Sequence, residues 1–239
     1  MLGIGNDLVS GSYAAVNRGY SLSFDGSNDV LDLGDVLDLG TADFSWSFWV
    51  NLPLDNSSNA YLVSKRQGNN DNNFAAINSS KKISIQFRGG SNTAIFTSGA
   101  SSLAPLANTW IHVCVSADRD GNIGVYINGT TNTYGVALTS MSNSSQTLSN
   151  TGNWEFMAQD AAFSEGLMTD VAFFNVALSA AEVTAIYNNG VPGDLLGHSQ
   201  SSALTAYWRF NENTGTTVAD EIGSNDLTID GATWSTNVP

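Results

Sequence analysis

The chain has 239 residues, of which 42% are hydrophobic and 13% charged, with 23 glycines but 4 prolines, a composition typical of many short strands and not of disorder. Its formal charge of −14, from 8 basic and 22 acidic side chains, argues against nucleic acid phosphates as partners. The one cysteine excludes an intrachain disulfide, and no apolar run approaches the ~20 residues of a membrane span.

The first twenty residues are rich in Gly, Ser and Asn, with scattered apolar positions that cannot build a core of their own. We therefore predict that residues 1–20 form an N-terminal arm, either a flexible tail or a segment that orders against a partner. Strands begin at Ser21, because Leu22 and Phe24 alternate with serines. Val30, Leu31 and Leu33 follow the FDGSND turn, and a later strand, Phe44 to Val50, brings three large aromatic side chains to a core.

Short strands separated by polar linkers follow, at the even spacing of an antiparallel sandwich. They run over Ala60 to Ser64, Asn73 to Ile77, Ile83 to Phe87 and Thr93 to Phe96.

Residues 110–129 have the pattern of a complete β-hairpin. Ile111, Val113 and Val115 alternate with more polar residues, the DRDGN turn reverses the chain, and a return strand ends at Asn128-Gly129. This two-residue period predicts a hairpin with one buried face, packed sheet on sheet.

The last part of the chain is predicted to contain further strands and one helix. Trp154 to Met157 and Leu167 to Phe174 have strand patterns, and Ser179 with Glu182 forms the capping box of a short helix that ends at Asn189-Gly190. Beyond it, Leu204 to Phe210 is predicted to be another strand.

Three stretches together resemble laminin G-like domains of the concanavalin A type. They are the hairpin of residues 110–129, SLSFDGSNDVLDLG with FSWSFWVNL, and LMTDVAFFNVALSAAEVTAIYNNG. The resemblance implies an all-β, two-sheet antiparallel jelly-roll sandwich with one short helix near the end of the domain. We assign residues 21–190 to this sandwich and expect residues 191–239, a C-terminal extension, to supply outer strands of the same sandwich.

The resemblance also implies a calcium site. An acid of the FDG turn and the acid before the closing strand would share the ion, so Asp25, Asn28, Asp29 and Asp170 are the candidate ligands. Calcium takes six to eight oxygen ligands, which acidic loops and carbonyls can supply. The alternative is that Asp25 only caps its own turn.

A glycan hydrolase on this fold would need two carboxylates facing one cleft. The Glu-x-Asp-x-(x)-Glu string that such relatives carry is absent, the glutamates are isolated, and neither His112 nor His198 has a nucleophile at motif distance. We therefore predict a protein without enzymatic activity.

Glycan binding on this fold would use aromatic platforms and Asn or Asp side chains on loops. The candidates are Tyr61, Tyr134, Trp154 and the polar loop that contains Asn70. Each has an alternative interpretation as a core aromatic residue or a solvated loop residue.

The MLGIGN start, FDGSNDVLDLG and the GATWSTNVP end resemble laminin G-like proteins of marine tailed-bacteriophage virions. This resemblance implies a capsid decoration, head fibre or tail-associated protein that is made in the host cytoplasm and localises to the virion. Its partners would be other virion proteins or further copies of the chain in a homo-oligomer. The alternative is a calcium-supported carbohydrate-binding module of a cell-surface or secreted protein that contacts surface glycans.

Overall fold

The computed structural model describes residues 19–68, 71–89, 93–98, 102–131, 139–140 and 146–239. Two antiparallel sheets stack face to face in a sandwich, which confirms the predicted fold class. The strands in chain order are β1 (Ser21–Asp25), β2 (Val30–Gly34), β3 (Phe44–Asn51), β4 (Ala60–Gln67), β5 (Asp71–Ile77), β6 (Ile83–Gly89), β7 (Thr93–Ser98), β8 (Trp110–Ala117), β9 (Asn122–Ile127), β10 (Thr130–Thr131), β11 (Thr139–Ser140), β12 (Trp154–Phe156), β13 (Ala158–Gln159), β14 (Ala162–Phe163), β15 (Glu165–Phe174), β16 (Leu204–Trp208), β17 (Thr217–Val218), β18 (Leu227–Asp230) and β19 (Thr233–Ser235).

The two large sheets share no strand. The nine-stranded sheet has the order β10-β9-β8-β3-β15-β1-β19, with β11 paired to β9 and β16 paired to β15. The eight-stranded sheet has the order β17-β18-β2-β12-β4-β5-β6-β7, and β13 and β14 form a small separate hairpin. Several neighbouring strands in these orders, such as β3 with β15 and β2 with β12, lie far apart in the chain, so the sheets bring distant loops to the same rim of the sandwich.

Aromatic side chains fill the core between the sheets. Trp46 lies edge-on to Phe87 at 5.3 Å and to Trp154 at 5.4 Å between ring centroids. Phe173 in turn lies edge-on to Trp154 and to Trp208, which belongs to a strand of the C-terminal segment. Edge-to-face contacts of this kind add to the free energy of burial, so the rings join both sheets into one core.

The hairpin predicted over residues 110–129 consists of β8 and β9, paired in register from Val113 with Ile127 to Ala117 with Ile123. Ile111, Val113 and Val115 face the core, as expected. The expectation of a single buried face is wrong, because His112 and Cys114 on the other face are also fully buried.

A short helix covers that second face of the nine-stranded sheet. The helix α1 (Ala180–Tyr187) begins at the capping box of Ser179 and Glu182 and buries Val183 and Ile186. These side chains pack in a smaller apolar cluster with Cys114, Tyr126, Ala172, Phe174, Leu178, Leu195, Ala203, Leu204 and Tyr207.

The C-terminal segment adds edge strands to both sheets. β16 pairs with β15 and β19 with β1 in the nine-stranded sheet, whereas β18 pairs with β2 in the eight-stranded sheet. Among the described residues, no helix combines the length and the apolar character needed to cross a membrane.

Candidate functional site

Two clefts adjoin at the rim of the sandwich where β1 ends and β15 begins. The register of the two strands sets Asp25 opposite Glu165, and both side chains are exposed. Glu165 and Pro53 line both clefts and so form their shared wall.

The first cleft is a cavity of about 240 Å³ between the end of β1, residues 52–60 and the start of β15. Three carboxyl side chains line it, from Asp25, Asp55 and Glu165, together with the amide of Asn59. Gly26, at φ 75°, turns the chain beside the Glu165 side chain, where an added Cβ would lie 3.1 Å from that residue's own Cβ. The wall of the cleft is therefore closely packed and needs glycine at this position.

The second cleft, of about 290 Å³, lies on the other side of Glu165. Three amide side chains line it, from Asn51, Asn108 and Asn237. Gly166 forms part of its floor, and a Cβ there would lie 2.6 Å from the carbonyl oxygen of Asn51. A larger residue at this position would have to displace the backbone of β3.

The C-terminal segment completes the second cleft. The indole Nε1–H of Trp110 donates to Oδ1 of Asn237 at 3.0 Å, and Ser21 Oγ donates to the backbone carbonyl of Asn237 at 2.7 Å. Trp110 is half-buried and pairs with Asn51 across β8 and β3. The chain sequence contains no local signal for this contact, because Trp110 and Asn237 are 127 residues apart.

The four candidate calcium ligands do not converge. Asp170 lies five residues beyond Glu165 on β15, about 16 Å along the strand, so Asp25 meets Glu165 and not Asp170. Asp29 accepts the backbone N–H of Asp25 at 2.8 Å, and Asp25 caps the N–H of Ser27 at 2.8 Å, whereas Asn28 is exposed. Within the described ranges, no three His, Cys, Asp or Glu side chains are placed to hold a metal ion. These residues therefore do not fit the calcium site that the resemblance implies.

The predicted aromatic platforms occupy different environments. Trp154 is fully buried, with its indole Nε1–H donating to the Val36 carbonyl at 2.9 Å, so its assignment as an exposed sugar platform is wrong. Tyr61 is half-buried against Phe74 and next to Ala60, which lines the first cleft. Asn70 and Tyr134 lie outside the described residues.

A second pair of carboxyl groups lies on the outer face of the eight-stranded sheet. Asp32 on β2 pairs directly with Glu155 on β12, so Glu155 is not isolated as the sequence suggested. Burial raises the pKa of Glu155, and the charges of Asp160 and Asp32 raise it further, against a hydrogen bond from the Asp160 N–H that lowers it. Both groups are engaged: Asp32 accepts from the Gly34 N–H and the Asn153 amide, and Glu155 from the Asp160 N–H.

His112 has a hydroxyl neighbour that the sequence did not predict. Its Nε2 lies 2.9 Å from Ser47 Oγ, across β8 and β3. Burial lowers the pKa of His112 to about 3, and the side chains of Trp49 and Tyr187 pack against the ring. Both residues are buried, and neither lines one of the two clefts.

Solved structures share this fold at low sequence identity. A proposed carbohydrate-binding protein from Bacteroides ovatus matches 92% of the chain and 60% of its own length at 16% identity and a TM-score of 0.64. The heptameric SAP-like pentraxin from Limulus polyphemus matches 72% and 84% at 17% identity and a TM-score of 0.54. Domains LG4-5 of the mouse laminin alpha1 chain match 68% and 43% at 12% identity and a TM-score of 0.50. The chain therefore spans less than two thirds of the Bacteroides protein.

A comparison with curated proteins gives no significant match. A laminin G family profile, described as the concanavalin A-like lectin/glucanases superfamily, matches residues 25–184. This match covers both strands of the hairpin of β8 and β9, the start of β15 at the shared wall of the clefts and the first half of α1. The chain belongs to the concanavalin A-like lectin/glucanase superfamily.

Proposed function

We propose that this protein is a lectin-like module without enzymatic activity that binds glycan in the two clefts at its rim. The observation that carries the proposal is the set of three amide side chains that line the second cleft together with Glu165, one of which, Asn237, accepts a hydrogen bond from the half-buried indole of Trp110. The fold it shares with the Bacteroides ovatus protein, which is described as a proposed carbohydrate-binding protein, supports the same function.

The lining groups match the hydrogen-bonding chemistry of sugars. Sugar hydroxyls both donate and accept, and they can donate to carboxylate oxygens such as those of Glu165 while accepting from an amide N–H. The hydrogen bond from Trp110 to Oδ1 of Asn237 orients that amide, so its Nδ2 donor remains for other partners. An indole next to such groups can pack against the C–H face of a pyranose ring.

A glycan panel tests this proposal. We expect the wild-type protein to bind at least one glycan and Glu165→Ala to weaken that binding about tenfold, because polar contacts of a binding site contribute about 1–2 kcal/mol each. Asp230→Ala is the matched control, since Asp230 is an exposed carboxyl residue on β18 that lines neither cleft. Equal loss in both variants, or no binding to any glycan, would refute the proposal.

The absence of enzymatic activity is part of the proposal. It is supported by the hydrogen bonds that hold Asp32 and Glu155 to their own chain and by the burial of Ser47 and His112. Incubation with polysaccharides should release no new reducing ends. Release that disappears in a Glu155→Gln variant would show that the carboxyl pair on the outer face is catalytic.

We further propose that the module acts on a bacteriophage virion, as a capsid decoration, head fibre or tail-associated protein. The proposal is supported by the resemblance of both ends of the chain to virion proteins, and an exposed glycan-binding rim would suit attachment to a host surface. Mass spectrometry of purified particles should detect the chain, and its solution mass should be that of a trimer or a larger oligomer. Particles that lack the chain would refute this localisation and leave a cell-surface or secreted module.

A further inference from the structure

Formal charge is distributed unevenly around the two clefts. Asp25, Asp55 and Glu165 supply carboxyl groups, and no Lys, Arg or His is found among the described residues that line either cleft. Lys81 does contact Asn56 in the wall of the first cleft, but its ammonium donates to the backbone carbonyl and Oδ1 of that residue and does not line the cleft. The charged side chains that a ligand meets in the described lining of these clefts are therefore all carboxylates.

Because the charged side chains that line the clefts are all carboxylates, the affinity for a glycan should depend on the charge of that glycan. A uronate, sialylated or sulfated glycan would bring a second anion next to Glu165 without a cation to compensate it. An amino sugar would instead place an ammonium where it can form charge-assisted hydrogen bonds to the shared wall. A neutral sugar would experience neither the repulsion nor the attraction, so its affinity would lie between those of the acidic glycan and the amino sugar.

Building on the proposed function, we infer that the clefts select amino-sugar glycans over neutral glycans and neutral glycans over acidic glycans. Glu165 is the residue that makes the selection, because it lines both clefts. The overall charge of −14 would attract any cationic glycan weakly. The test therefore has to distinguish the effect of the cleft carboxylates from the effect of the net charge of the whole protein.

Three short β-1,4-linked oligomers of equal length separate the two effects, since the two charged ones each differ from the neutral glucose oligomer in one substituent per sugar. They are a glucosamine oligomer, a glucose oligomer and a glucuronate oligomer, measured by calorimetry at mildly acidic pH and low salt. We expect the glucosamine oligomer to bind about fivefold more tightly than the glucuronate oligomer, because one exposed charge pair is worth up to about 1 kcal/mol. The ratio should shrink as salt is added.

Two variants test whether the cleft residue Glu165 causes the difference in affinity between the oligomers. Glu165→Gln keeps the shape of the side chain and should reduce the ratio to about twofold or less by removing one exposed charge pair. Asp230→Asn removes one exposed charge outside the clefts and should leave the ratio unchanged. An unchanged ratio in Glu165→Gln, or tighter binding of the glucuronate oligomer by the wild type, overturns the inference. If an acidic glycan is the only hit of the wider panel, the inference fails while the proposed function stands; if the panel contains no hit, both fail.

Discussion

His112 shows how an interior position in the nine-stranded sheet constrains a titratable side chain. The ring is fully buried beneath α1, and its Nε2 is paired with Ser47 Oγ. Burial lowers the pKa of His112 to about 3 from an ordinary 6.5. The folded state therefore keeps the ring neutral over a range in which the unfolded chain would take up a proton.

We expect this difference to make the fold sensitive to acid. Below about pH 6.5 the unfolded state binds a proton at His112 and the folded state does not. As the pH is lowered from about 6.5 to about 3, the free energy of unfolding therefore decreases by up to about 1.4 kcal/mol per pH unit. His112→Gln removes the titrating group, and its unfolding free energy should decrease less steeply than that of the wild type over this range. Urea unfolding at several pH values measures both slopes, and equal slopes would contradict the assignment.

Gly166 supports the second cleft through its missing side chain. Its φ is 145°, and an added Cβ would lie 2.6 Å from the Asn51 carbonyl oxygen and 2.7 Å from the Leu52 side chain. Gly166→Ala should lower the free energy of unfolding by about 2 kcal/mol or more, through strain and steric overlap.

The control for this substitution is Gly34→Ala. Gly34 also has a positive φ, of 79°, but a Cβ added there would meet no neighbouring atom within 4 Å. Gly34→Ala should therefore lower the free energy of unfolding by only about 1 kcal/mol, the cost of placing alanine at a positive φ. Equal losses in chemical denaturation would show that the contact with β3 contributes nothing.

At the scale of elements, the C-terminal strands hold the edges of the sandwich. β19 pairs with β1, and Asn237, just after it, accepts hydrogen bonds from Ser21 and Trp110. Trp234 packs partly buried against the core. One short segment thus stabilises an edge strand and completes a cleft.

Deletion of residues 233–239 should therefore affect stability and binding together. We expect a loss of about 2 kcal/mol in the free energy of unfolding, because the burial of Trp234 is lost and apolar surface of β1 becomes exposed, and a loss of glycan binding. Deletion of residues 238–239 alone keeps β19 and Asn237 and should change neither quantity. Wild-type affinity in the longer deletion would show that Asn237 takes no part in the site.

Local pattern predicted the elements better than it predicted the site. The alternation in residues 110–129 and the capping box at Ser179 depend on neighbours in the chain, and both are present in the structure. Trp154 has the same alternation whether its ring faces the core or solvent, so its exposure could not be deduced. The pairing of Asp32 with Glu155 depends on strand order, which joins residues more than 100 positions apart.

At the scale of the whole molecule, the sandwich brings distant loops to one rim but does not assemble a calcium site from the residues that the family resemblance implies. Asp25 and Asp170 lie at different positions along neighbouring strands. Calcium that bound the folded state would raise the melting temperature by mass action.

We expect the melting temperature to be the same with millimolar calcium and with a chelator. Differential scanning fluorimetry measures both, and a magnesium sample controls for the general effect of a divalent ion on an acidic protein. A rise of several degrees with calcium alone would contradict the account and return Asp25 and Asp29 to the set of ligands.

The central claim is that glycan binds at the rim in the two clefts, the second of which is lined by Asn237, the hydrogen-bond partner of Trp110. The most direct measurement is an NMR titration of the isotopically labelled protein with a glycan from the panel, because each tryptophan indole N–H gives its own signal. The account predicts shifts of the Trp110 indole and the Asn51 and Asn237 amides, with the buried Trp154 indole unchanged. Shifts confined to the outer face of the eight-stranded sheet, around Asp32 and Glu155, would contradict it.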